Sequence, residues 1–206
     1  MNQIITQHGW GLDHNIWIKF KNQFIKNDWI WQDNERGYFS ESSYKAEWLK
    51  DNSEKNIKVV LCHSLGIHLI EKRVLKEATH IVLINSFNSF IPNNHESKIT
   101  LKTLKRMEKK INSLEIKSML EKFINTSFNP NEVDLNFKYI FNSNLNRINM
   151  NILLEDFQKL YLRNQDFSLF PKYTEVLIIK SQNDHILKEY ASNEFIQLLN
   201  NKQINK

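Results

Sequence analysis

The chain has 206 residues, 41% of them hydrophobic and 12% aromatic, which is enough apolar material to close one globular core and argues against a disordered chain. Its 28 Lys and Arg against 23 Asp and Glu give a formal net charge of +5, and no Lys/Arg-rich run interleaved with aromatics marks a nucleic-acid-binding arm. Cys62 stands alone, so one chain can build neither a disulfide, a thiolate zinc site nor an iron–sulfur cluster, and the composition reads as cytoplasmic.

The first elements read as strands separated by amphipathic stretches, the pattern of β-α units feeding a parallel sheet. Ile4-Ile5-Thr6, Trp29-Ile30-Trp31 and residues 57–61 are strand-sized apolar runs. Tyr44, Trp48 and Leu49 recur at helical spacing and predict a crossover helix over 42–52. Leu65, Leu69, Ile70 and Val74 predict a helix over 65–76, and a fourth strand follows at 80–84. From Pro92 to Asp166 the pattern turns purely helical, with stripes at Leu101, Leu104, Met107 and Ile111 and at Met119, Leu120, Phe123 and Ile124. A fifth buried strand is predicted at 176–179 and a closing helix at 189–200. The expected organisation is a core of residues 1–91 and 167–206 interrupted by a helical insertion, 92–166. All apolar runs fall far short of the roughly 20 residues of a membrane helix, and the N-terminus lacks the basic region of a secretory signal.

Three segments fall where such a sheet places ligands, just past the carboxyl ends of strands. His8-Gly9-Trp10-Gly11 spends two of only four glycines on one turn, which suits a loop that presents backbone N–H groups to an oxyanion. Cys62-His63-Ser64-Leu65-Gly66 is a G-x-S-x-G nucleophile elbow with cysteine at the first glycine position, set between a strand and a helix. Asp184, in Ser181-Gln182-Asn183-Asp184 after the fifth strand, fits the Ser…Asp…His order in which an acid orients an imidazole. The plainer alternatives are a strand-to-loop turn, a helix-capping serine and an Asx-turn aspartate.

Together with Trp17 and Asp33-Asn34-Glu35-Arg36-Gly37-Tyr38, these segments resemble the α/β-hydrolase fold over nearly the whole chain. Within it the chain is most similar to the pimeloyl-acyl-carrier-protein methyl ester esterases of biotin synthesis. The resemblance implies an α/β class fold, a mostly parallel sheet flanked by helices with a helical lid. It implies a serine carboxylesterase with Ser64 as nucleophile, Asp184 as triad acid and the N–H groups of Trp10 and Leu65 as oxyanion hole. It places the lid segment Phe123 to Ser127 against the acyl chain, names an acyl-carrier protein as partner, and requires no cofactor and no metal.

The pattern departs from that family at its end. Such hydrolases carry the catalytic histidine about 20–30 residues beyond the acid, after one more helix and strand. Only 22 residues follow Asp184, and none after His185 is a histidine, so the expected core lacks the last strand and His185 is the remaining candidate base. Two other functions stay open: a binding protein or truncated hydrolase without a working base, and a general carboxylesterase for small esters. Between Glu96 and Lys122 eight basic residues face four acidic ones, and Lys98, Lys102, Arg106 and Lys110 recur at i+4 on one helix face. That stripe is either a solvated surface or a docking face for an acidic carrier protein.

Overall fold

A computed structural model describes residues 1–50, 56–162 and 170–201. Five strands, β1 (Gln3–Gln7), β2 (Ile30–Asn34), β3 (Lys58–His63), β4 (His80–Ile84) and β5 (Glu175–Ile179), form one parallel sheet in the order β2-β1-β3-β4-β5. The chain runs from β1 outward to β2 and then returns to the other side of β1 as β3. The strand order therefore reverses between β1 and β3, and the crevice beyond the carboxyl ends of these two strands is the natural ligand position.

Alternation along each strand feeds two cores. Ile5, Val60, Cys62, Ile81, Leu83 and Val176 point to one face, covered by α2 (Gly66–Leu69), α3 (Lys72–Lys76) and α8 (Glu189–Asn201), which contributes Phe195 and Leu199. Ile4, Trp31 and Leu61 point to the other, covered by Trp17 and by Phe24 of α1 (Ile18–Ile25). A third core lies over the carboxyl ends of the strands. There α4 (Ser97–Ile111), α5 (Ile116–Phe128), α6 (Leu135–Asn144) and α7 (Met150–Gln158) pack Leu104, Leu120, Phe141 and Phe157 onto Trp10, Tyr38 and Leu65. Each fully buried Leu or Phe contributes about 1.5–3 kcal/mol, so the helical block is held down mainly by apolar burial.

Three predicted elements differ. Residues 42–50 form no helix; positions 51 and 52 lie outside the described residues. Side chains of neighbouring strands take the backbone groups a helix would use: Ala46 N–H donates to Asn34 Oδ1 (2.7 Å), Leu49 N–H to Gln3 Oε1 (2.8 Å), and Gln3 Nε2 donates to Leu49 O (3.0 Å). Tyr44 pairs instead with Glu35 in an antiparallel bridge. The helix predicted over 65–76 breaks at Ile70, whose extended backbone (ψ 145°) re-aims the chain so that Ile67, Ile70, Val74 and Leu75 all enter one core. Finally, β5 is not buried on both faces. It forms the sheet edge, with Leu177 56% and Ile179 45% exposed, because α1 covers the opposite end of that face. The junction expected at 166/167 lies outside the described residues.

Candidate active site

Ser64 follows β3 directly and has a φ of +52°, a left-handed conformation that a β-carbon penalises and that single residues hold at strained turns. Its N–H donates to Ile84 O (2.8 Å), so the strand ladder runs up to the turn and stops there. Gly66 explains the turn's tightness: a β-carbon at this position would stand 2.5 Å from the Gln7 carbonyl oxygen, so α2 lies directly on β1. Gly9 acts similarly from the neighbouring loop, where a β-carbon would meet His63 Nδ1 at 3.0 Å and Ser64 Cβ at 3.1 Å. The two glycine-bearing segments thus press together at the point where the strand order reverses.

Neither the Trp10 N–H nor the Leu65 N–H has a hydrogen-bond partner among the described residues, and the Ser64 hydroxyl has none either. Two unpaired backbone donors beside a serine hydroxyl are an arrangement that can hold the negative oxygen of a tetrahedral intermediate. The Trp10 indole is held in the lid core, donating from Nε1 to Leu153 O (2.8 Å) and meeting Phe123 edge-on at 5.3 Å. Phe123 therefore lies against the loop, whereas Ser127 is exposed and turns its hydroxyl to the Phe123 carbonyl (2.9 Å) of its own helix.

Asp184 and His185 line a cleft of about 430 Å³ together with Asn85, Ser181 and Pro130; Ser64 does not line it. Asn85, itself at φ +46°, ties the ends of β4 and β5 by donating to Ser181 Oγ (2.9 Å) and accepting from Ser181 N–H (2.7 Å). Asp184 Oδ1 accepts the N–H groups of Ile186 and Leu187, both at 2.8 Å, the local turn that such a residue builds. No hydrogen bond joins His185 to Asp184 or to Ser64 among the described residues. His63 is the imidazole next to Ser64 in the chain: burial pushes its pKa down to about 4, Asp184 pulls in the opposite direction, and Nδ1 is buried without a partner. It is neutral at pH 7.

Three further histidines, His8, His14 and His68, are engaged elsewhere. His8 Nδ1 donates to Gly9 O (2.9 Å), His14 pairs with Glu35 (2.8 Å), and His68 Nε2 donates to Phe87 O (2.8 Å). Sequence reasoning missed the polar ties between loop and lid. Arg36 makes a two-pronged pair with Asp156 of α7 (2.6 and 2.8 Å), and residues 120 positions apart leave no local signal of contact. No group of three metal-ligating side chains occurs among the described residues. No helix among them is long and apolar enough to cross a membrane.

No protein family matches the chain by sequence, and no curated protein does. Solved structures do. An esterase from Exiguobacterium antarcticum superposes with a TM-score of 0.66 at 12% identity, over 97% of this chain and 79% of that one. A hydrolase from Oleispira antarctica gives 0.65 at 14% identity, over 100% and 80%. The chain has the α/β-hydrolase fold. The bottromycin epimerase BotH, solved with bottromycin A2, shares it at a TM-score of 0.55 and 10% identity, over 94% and 78% of the two chains, so the fold alone does not decide the reaction.

Proposed function

We propose that the chain is a serine carboxylesterase whose substrate is the methyl ester of an acyl chain carried on an acyl-carrier protein, of the pimeloyl type. The observation that carries the esterase reading is Ser64 at φ +52° beside the unpaired N–H groups of Trp10 and Leu65. In this reading the Ser64 hydroxyl gives its proton to an imidazole as Oγ bonds to the ester carbonyl carbon. The Trp10 and Leu65 N–H groups hold the developing oxyanion, and methanol leaves with the proton. Water then cleaves the acyl-serine by the same route. The base this reading calls for is His185, next to Asp184 in the cleft; because Ser64 does not line that cleft, the loop carrying Asp184 and His185 has to close onto Ser64 for the proton to pass, with Asp184 then stabilising the charged imidazole.

The carrier protein is the finer part of the reading. Lys98, Lys102 and Arg106 are exposed on α4 without an ion pair among the described residues, which supports a docking face, while Lys110 is paired with Glu115 at 2.6 Å. A binding protein without catalysis is the second reading, favoured by the lack of a hydrogen bond from Ser64 to any imidazole among the described residues. The test is a chromogenic short-chain ester and a fluorophosphonate label. Wild-type protein is expected to turn over the ester and to take the label on Ser64, and Ser64→Ala is expected to do neither while keeping its melting temperature. A wild-type protein that neither hydrolyses nor labels at Ser64 overturns the esterase in favour of the binding protein.

A further inference from the structure

Two contacts from one lid helix converge on a single peptide unit of the oxyanion loop. Asp156, on α7, is fully buried and saturated with donors: Arg36 Nε (2.6 Å) and Nη2 (2.8 Å), Tyr38 OH (2.7 Å) and Lys159 Nζ (2.6 Å). Arg36 is thereby held in place, and its backbone N–H donates to His8 Nε2 at 3.2 Å. A carbonyl oxygen can only accept, so the hydrogen of His8 lies on Nδ1, which donates to Gly9 O at 2.9 Å. Glu35 stands against the same ring, 3.3 Å from Nε2, and is itself fixed by the Gly37 N–H (2.8 Å).

The Gly9 carbonyl and the Trp10 N–H belong to one planar trans peptide, so directing the carbonyl directs the N–H the opposite way. From the far side, α7 grips the next residue again, through the Trp10 indole bonded to Leu153 O and packed on Phe157 at 5.1 Å.

We propose that α7 of the lid sets the direction of the Trp10 N–H, with Asp156 as a positioning residue that acts through Arg36 and His8 on the Gly9–Trp10 peptide. The catalytic consequence rests on the esterase reading; the mechanical link does not. An oxyanion donor works only when aimed where charge develops, and that interaction is made in the transition state rather than with bound substrate. Loosening the relay therefore lowers kcat and leaves KM alone. A lid that merely roofs the acyl pocket would act on KM.

The test uses Asp156→Asn and, independently, Trp10→Phe, which keeps the ring but loses the bond to Leu153 and leaves no buried charge unpaired. The backbone 15N order parameter of Trp10 is expected near the rigid value of about 0.85 in the wild type and below about 0.6 in both variants. Ester kinetics are expected to show kcat reduced about 10- to 100-fold with KM within about twofold. An unchanged Trp10 order parameter, or kcat and KM moving by equal factors, overturns the proposal. If Asp156→Asn does not fold, Trp10→Phe decides. If wild-type protein has no esterase activity, the esterase reading falls while the order parameter still judges the relay.

Discussion

Ser64 holds its strained backbone because its neighbours leave it no other path, and the tightest of them is Gly66. With a β-carbon 2.5 Å from a backbone oxygen, Gly66→Ala forces α2 away from β1, an overpacking that costs about 1–3 kcal/mol. Its melting temperature is expected to fall by several degrees, and fluorophosphonate labelling of Ser64 should slow along with it. A variant with wild-type melting behaviour would show that the packing at Gly66 relaxes freely.

The buried histidines give the molecule a defined response to acid. Burial lowers both His63 and His68 to about 4, against 6.5 for a free imidazole. An unfolded chain therefore binds protons between pH 6.5 and about 4 that the folded chain does not, so stability is complete above 6.5 and declines as pH falls through that window. Thermal melts at pH 7 and pH 4.5 are expected to show a lower melting temperature at pH 4.5, and His68→Gln, which can still donate to Phe87 O, should narrow the gap. An equal gap in both proteins would remove His68 from the account.

At the scale of elements, β5 carries the clearest liability. Its edge, unpaired by another strand among the described residues, and its exposed Leu177 and Ile179 offer an apolar strand for pairing with another chain. Leu177→Lys is expected to reduce light scattering at high concentration and to change stability by no more than about 0.5 kcal/mol, since the side chain buries little. A large drop in melting temperature would mean that Leu177 is covered in solution. The segment 42–50 and the break at Ile70 teach the complementary lesson. Apolar spacing announced helices in both places, but buried amides from Gln3 and Asn34 claimed one backbone and the shared core re-aimed the other.

For the whole molecule, the proposed carrier-protein partner is tested on the exposed basic stripe of α4, which lies in the helical block that also packs on Trp10 and Leu65. Reversing Lys102 and Arg106 to Glu is expected to raise KM for a carrier-bound ester and to weaken its salt dependence, with kcat and small-ester activity unchanged. Rim charges act on encounter and are screened over about 8 Å at physiological ionic strength. Equal losses on both substrates would indicate damaged lid packing, and no effect would leave the stripe as solvated surface.

What the sequence determined by itself is the part of the fold that a short window encodes without a distant segment competing for it. The strand runs, the turn at Ser64, the loop at Gly9 and the helical character of the lid depend on periodicity and on residues a few positions apart, and the structure places all of them close to the predicted positions. The three-dimensional packing alone decided the path from β2 to β3, the exposure of β5, the separation of Ser64 from the Asp184 cleft, and the Arg36–Asp156 tie. Each of these depends on which distant segment competes for a backbone group, a face or a charge. Such competition has no period, so it becomes visible only when segments apart in the chain, from 12 positions for Asn34 and Ala46 to 120 for Arg36 and Asp156, are brought to hydrogen-bond distance.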